Sequence, residues 1–233
     1  MEVRIITNAY KLYKDARDAS WRCLINTGAA EMPIKVLKVA AFCGVKVVKD
    51  SNAHYLKSWE SGCTLVDSAG NWQIVYRDTE NRGRTRFTVA HELGHILLGH
   101  ELAPDKSGHF RTASDRREPA ETQADEFAAR LLAPACVLWG LEAYEPEEIA
   151  RICDISAEAA GYRAKRMKEL RGRGKFLTSP LERQVFEAFK PWIEQQKSPS
   201  RVGAQEGQKC DSMHNKAAYK LYYSMLSAIC QGG

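Results

Sequence analysis

Two histidines four residues apart are the clearest chemical signal in this sequence of 233 residues. The segment His91-Glu92-Leu93-Gly94-His95 would place both imidazoles on one face of an α-helix, because a helix turns every ~3.6 residues. Neutral imidazole nitrogens are common zinc ligands. Glu92 follows the first histidine directly, so its carboxylate would lie beside the ion without binding it. The pattern predicts a Zn²⁺ site in which Glu92 is the catalytic general base.

An amphipathic helix whose histidines merely pack one turn apart is the ordinary alternative. Gly94 argues against it, because a glycine costs the interior of a plain helix roughly 1 kcal/mol relative to alanine. Beside a metal site, the missing side chain would let a neighbouring backbone or a substrate approach closely. The glycine therefore favours the metal site.

Two longer strings flank this motif. The first is Arg-Phe-Thr-Val-Ala at 86–90, which runs into the motif and on to Gly99 and His100. The second is ETQADEFAARLLAP at 121–134. Together they resemble the ImmA/IrrE family of bacterial regulatory metallopeptidases. The resemblance covers roughly residues 16–170, and the tail beyond Lys175 lies outside it.

The resemblance implies a gluzincin-like zinc endopeptidase whose third metal ligand is a glutamate on a second helix, and the matching position is Glu121. Spacing is compatible with this role, since Glu121 and Asp125 lie one turn apart on a helix predicted at about 120–133. One carboxylate can face the ion while Asp125 accepts the second ring N–H of a ligand histidine. Glu118 and Glu126 are the rival third ligands.

Two histidines and one glutamate leave a tetrahedral ion one position for water, which is typical of a catalytic site. The predicted reaction is peptide-bond hydrolysis. The residue that stabilises the oxyanion stays open between Tyr76, His100 and His109. His100 lies five residues after His95, and this spacing predicts a helix-end or surface histidine. The strand that ends near Tyr76 is expected to hold an extended substrate by edge pairing.

The remaining pattern predicts an α+β fold, with a small, mostly antiparallel sheet packed on helices. The expected strands lie at 45–48, 62–66 and 72–76, and the metal helix is expected to begin at an N-cap at Thr85 or Thr88. We expect a zinc metallopeptidase domain at 1–140 and a helix-turn-helix-like unit at 141–175. Residues 176–233 would hold a C-terminal helix that Pro191 ends or kinks, a polar linker at about 195–212 and a terminal helix.

The helix-turn-helix-like unit supports an alternative function: a regulator that binds DNA or a repressor without proteolysis. A basic run follows its turn: Arg163, Lys165, Arg166, Lys168, Arg171, Arg173 and Lys175. Such a run can contact phosphates weakly, and the formal net charge of +5 permits this. A solvated basic edge on a packed helix pair is the more ordinary interpretation.

Composition predicts a soluble, cytoplasmic protein. The first residues lack the apolar core of a secretory signal, and no apolar run approaches the ~20 residues that span a membrane. Seven cysteines without a C-x-x-C pair indicate reduced thiols. The family resemblance implies a protein substrate, expected to be a helix-turn-helix transcriptional repressor.

Overall fold

A computed structural model describes residues 2–67, 69–100 and 119–198, with side chains described from residue 11 onwards. The predictions for His109, for Glu118 and for the chain after Ser198 lie outside these residues. The described helices are α1 Glu2–Asn26, α2 Val36–Phe42, α3 Asp50–Ala53, α4 Arg82–Leu98, α5 Pro119–Leu132, α6 Ala135–Gly140, α7 Pro146–Cys153, α8 Ala157–Gly172 and α9 Pro180–Lys197. The strands are β1 Lys46–Lys49, β2 Gly62–Val66 and β3 Trp72–Tyr76. This arrangement confirms the predicted α+β class.

The three strands form one sheet in the order β1-β3-β2. β2 pairs antiparallel with β3, from Gly62 opposite Tyr76 to Val66 opposite Trp72, whereas β1 pairs parallel with β3. The sheet is therefore mixed rather than mostly antiparallel. β3 is also the central strand, so the prediction that it holds a substrate by edge pairing is wrong. Within the described part of the chain, β1 and β2 are the edges.

Helix α4, which carries the histidine motif, begins earlier than its sequence suggests. Its N-cap is Asn81, whose side chain accepts a hydrogen bond of 2.9 Å from the backbone N–H of Arg84. Thr85 and Thr88 lie inside the helix, so the prediction of either as the N-cap is wrong. Gly99 ends the helix with a φ of 67°, a left-handed conformation that favours glycine.

Helix α5 packs against both α4 and α1. A Cβ added to Gly94 would lie 3.0 Å from Cδ1 of Phe127 and 3.3 Å from Cα of Ala124. The glycine of the motif therefore lets the backbones of α4 and α5 approach closely, as its position predicts. Leu93 and Leu131 join Phe127 in the buried core beneath the two helices.

The turn between α7 and α8 is bound to the start of α4. The buried guanidinium of Arg86 donates to the backbone carbonyls of Asp154 at 3.0 Å and Cys153 at 3.1 Å. Arg82 pairs with the Asp154 carboxylate. Ser156 caps α8 by accepting from the backbone, as predicted. The described residues up to Ser198 belong to one compact unit, and the domain boundaries at 140 and 175 stay predictions.

The basic run on α8 is divided between interior and surface. Arg163 is 7% exposed and donates to the backbone carbonyl of Ala133. Arg166 donates to Glu169 and to the hydroxyl of Tyr13. The exposed members are Lys165, Lys168, Arg171, Arg173 and Lys175. Because two of its arginines serve the fold, the run offers fewer phosphate contacts than its sequence suggests. DNA contact stays a prediction.

Burial also determines the ionisation of the cysteine thiols in the described residues. Cys63, Cys136 and Cys153 are free thiols in the interior, and burial raises the pKa of each to about 12. Their thiolate forms are therefore scarce near neutral pH, which argues against thiol catalysis.

Helix α9 begins at Pro180 and continues through Pro191. Of the helices that the described ranges form, none is long and apolar enough to cross a membrane.

Candidate metal centre

Three side chains from α4 and α5 converge at one point. Nε2 of His91 lies 3.0 Å from Nε2 of His95. The carboxylate of Glu121 approaches both rings, with 3.4 Å from Oε2 to Nε2 of His91 and 3.4 Å from Oε1 to Nε2 of His95. One ligand atom from each residue lies within 4.8 Å of the other two, so the group could hold a metal ion. Among the described residues this is the one such group of three or more.

Helix periodicity explains why Glu121 rather than Glu126 reaches the histidines. Glu121 lies in the first turn of α5, on the side of the helix that meets α4. Glu126 is directed elsewhere and pairs with Arg130 one turn further along α5. The structure therefore places the residue implied by the family resemblance, and not this rival, beside the imidazoles.

His91 is held in place by the second carboxylate of α5. Its Nδ1 lies 2.8 Å from Oδ1 of Asp125, which is the contact predicted for this aspartate. Burial lowers the pKa of His91, but hydrogen bonds to Asp125 and Glu121 raise it by more, to about 9. Since a ligand imidazole must give up its proton to the incoming cation, metal uptake at this site strengthens as the pH rises.

The donor set suits a divalent transition metal. Two imidazole nitrogens and one carboxylate are ligands that zinc and its neighbours accept. His95 is 1% exposed, and His91 has its second ring nitrogen committed to Asp125. Ligands that are shielded from water and oriented by hydrogen bonds are typical of a built metal site. Three protein ligands would leave a fourth position for a small molecule.

Glu92 is 4% exposed and is fixed by the sheet. The hydroxyl of Thr64 on β2 donates a hydrogen bond of 2.7 Å to Oε2 of Glu92. This approach depends on Gly62, where a Cβ would lie only 2.4 Å from Cγ2 of Thr88 on α4. Sequence reasoning missed Thr64, because the partner of a side chain on another element is not encoded in local spacing.

His100 directly follows the C-cap of α4, which agrees with the prediction of a helix-end histidine, but it is partly buried rather than a surface residue. The left-handed turn at Gly99 brings its imidazole back against the motif helix. Nδ1 of His100 lies 2.9 Å from Nδ1 of His95, and the two rings meet edge to face with centroids 4.9 Å apart. The sequence signal was the Gly99-His100 pair, since a glycine at this position reverses the chain direction.

Tyr76 belongs to the hydrophobic core, where burial raises the pKa of its hydroxyl. Its role as an oxyanion stabiliser stays a prediction, and His109 lies outside the described residues.

Comparison with known proteins agrees with this geometry. No curated protein sequence matches the chain. A peptidase family model described as the IrrE N-terminal-like domain matches residues 44–165, which is more than half of the chain. The match includes all three converging residues, Glu92 and Asp125. The protein therefore belongs to the IrrE N-terminal-like family of metallopeptidases.

Proposed function

We propose that this protein is a zinc-dependent endopeptidase that cuts a regulatory protein, with a helix-turn-helix transcriptional repressor as the expected substrate. The observation that carries the proposal is the convergence of His91, His95 and Glu121 beside a buried glutamate. The bacterial setting and the repressor are inferred from the family alone.

The three converging residues would hold the ion through Nε2 of each imidazole and the carboxylate of Glu121. A zinc ion bound there would supply a Lewis acid for activating water and polarising the carbonyl of the scissile bond. Asp125 keeps the His91 ring oriented by accepting a hydrogen bond from its Nδ1–H group. The protein supplies a site that is fixed before substrate arrives, which reduces the reorganisation needed during reaction.

Glu92 is the proposed general base. Its carboxylate takes a proton from the attacking water and returns it to the nitrogen of the departing amine. The Thr64 hydroxyl holds one carboxylate oxygen and thereby limits the rotation of the side chain. Such positioning matters because a small misplacement of a catalytic group can reduce the rate by about 10²-fold.

β2 is a candidate holder of the substrate backbone. It is an edge strand in the described sheet and reaches the site through Thr64. An extended peptide could add to that edge by main-chain hydrogen bonds. In this proposal β2, an edge strand among the described residues, replaces β3 in the role expected from sequence.

The proposal is tested with purified wild-type protein and the Glu92→Gln variant. We expect both to bind about one equivalent of zinc by elemental analysis, because Glu92 is not a ligand. Only the wild type should cleave a helix-turn-helix repressor encoded beside its gene, and a chelator should stop cleavage. New protein N-termini, compared in cells that express either form, extend the search to other substrates.

Two results would contradict the proposal. If the wild-type protein takes up no zinc, the proposed metal centre is wrong. If Glu92→Gln cleaves the substrate as fast as the wild type, Glu92 is not the general base. DNA binding that weakens steeply with salt, in a protein that produces no new N-termini, would favour the DNA-binding regulator instead.

A further inference from the structure

A chain of hydrogen bonds leads from the metal centre to the backbone of α1. It begins at His95, whose Nδ1 lies 2.9 Å from Nδ1 of His100. Nε2 of His100 lies 3.1 Å from Oε1 of Gln123 on α5. The amide nitrogen of Gln123 then donates to the backbone carbonyl of Leu12 at 3.1 Å. Polar atoms thus connect α4, the His100 side chain that follows it, α5 and α1.

The Leu12 carbonyl at the far end fixes the orientation of the Gln123 amide, and with a neutral His100 ring it sets the direction of each hydrogen bond in the series. A carbonyl oxygen accepts hydrogen bonds and cannot donate them, so the NH₂ group of Gln123 must face Leu12. The amide oxygen of Gln123 therefore faces His100 and can only accept, which requires a proton on Nε2 of His100. In the neutral His100 ring, Nδ1 is then the acceptor.

The same argument applies to His95, the proposed metal ligand. If Nδ1 of His100 accepts, Nδ1 of His95 must carry a proton and donate the hydrogen bond. Nε2 of the neutral His95 ring then keeps its lone pair, and this is the atom that faces Nε2 of His91 at 3.0 Å. A lone pair at this position is what a metal ligand requires.

We propose that His100 and Gln123 are positioning residues that fix His95 in its Nδ1-protonated tautomer, with the Leu12 carbonyl as the terminal acceptor. The inference rests on the metal site of the proposed function. It goes further by assigning the relay His95–His100–Gln123–Leu12 the task of presenting Nε2 to the cation.

The two ligand histidines are therefore oriented by different means. His91 donates to the carboxylate of Asp125, a partner on the adjacent helix. His95 instead donates into a relay of neutral groups that ends on α1, before the segment matched by the family model. Helix α1 thereby contributes to the metal centre without supplying a ligand.

Nuclear magnetic resonance of the full chain, labelled with ¹⁵N in its histidine rings, tests the tautomer directly. We expect long-range ¹H–¹⁵N correlations in protein stripped of metal to place the proton of His95 on Nδ1 and that of His100 on Nε2. A proton on Nε2 of a neutral His95 would overturn the proposal. This measurement needs no substitution and no bound ion.

Zinc affinity, measured by competition with a chelating dye, tests the consequence. His100→Phe keeps a ring but removes both nitrogens, and we expect it to weaken zinc binding about 10- to 100-fold, as the loss of outer hydrogen-bond partners usually does. His100→Asn places an amide oxygen near the former Nδ1 and should recover most of that loss. Gln123→Met should weaken binding less than His100→Phe, and Thr122→Ala, at the exposed neighbouring position on α5, should leave it unchanged.

Cobalt(II) in place of zinc adds a spectroscopic readout, because its visible spectrum reports ligand geometry. The spectrum should change in His100→Phe and be largely restored in His100→Asn. Wild-type affinity and spectrum in His100→Phe would contradict the relay. A wild-type protein that binds neither metal would instead contradict the proposed function, and the ring tautomers would still decide the relay.

Discussion

At the scale of single residues, the centre is defined by what its carboxylates touch. Glu121 reaches both imidazoles, Asp125 orients one of them, and Glu92 is held by a hydroxyl from the sheet. Similar side chains thus receive separate tasks from their position on two crossing helices.

The bond between Thr64 and Glu92 predicts a positioning effect on turnover. A hydrogen bond to a charged group is worth about 1.5–3 kcal/mol, so Thr64→Val should lower kcat roughly 10- to 100-fold. KM and zinc content should change little. Thr64→Ser keeps the donor and should retain most activity in the same assay. Equal losses in both variants would show that packing, and not the hydroxyl, is what matters.

Glu121 is predicted to be the third ligand, and Glu126 on the same helix offers the control. Glu121→Gln should weaken zinc binding at least as much as the about 10–100-fold loss seen for outer partners. Glu126→Gln should leave it unchanged, because Glu126 pairs with Arg130. Dye competition measures both. A comparable loss of zinc affinity in both variants would indicate that Glu126 is also a metal ligand.

At the scale of helices and strands, much of the architecture could be read from local patterns. β2 and β3 have the bounds that alternation predicts, and α5 differs from its prediction by one residue at each end. The short helices α3 and α6 were missed, because four to six residues contain too little apolar periodicity. The parallel pairing of β1 with β3 was also missed, since strand order depends on contacts between distant segments.

In the candidate site, too, features set by local sequence could be predicted, whereas contacts between distant segments could not. Its ligands come from a motif whose spacing is local, and they were predictable. Thr64 and the contact between His100 and His95 depend on how β2 and the turn at Gly99 approach α4. No periodic pattern reports such approaches, so these contacts required coordinates.

The crossing of α4 and α5 gives a prediction for Gly94. An alanine there would press its methyl group against Phe127 and the backbone of Ala124, and overpacking of this kind costs about 1–3 kcal/mol. Because α5 carries Glu121, separation of the helices should also weaken zinc binding. Thermal unfolding and dye competition measure the two effects. Gly161→Ala, at a helical glycine with open space around it, is the control.

At the scale of the whole molecule, the metal should act as a link between elements. A ligand that binds only the folded state adds about 2.7 kcal/mol at a free concentration of 100 Kd. For a chain of this size we expect saturating zinc to raise Tm by roughly 5–10 °C. Calorimetry with zinc and with a chelator measures the shift. Glu121→Gln should show a smaller one, and an equal shift would place the stabilising ion elsewhere.

The link between Arg86 and the turn after α7 sets a limit on how this chain can be shortened. A truncated protein that stopped at residue 140 would keep every proposed ligand and the general base. It would also leave the Arg86 guanidinium without its two hydrogen-bond acceptors, the carbonyls of Cys153 and Asp154. The side of the motif helix that they cover would become exposed. The smallest useful expression fragment should therefore extend past α8, even though none of the proposed chemistry lies there.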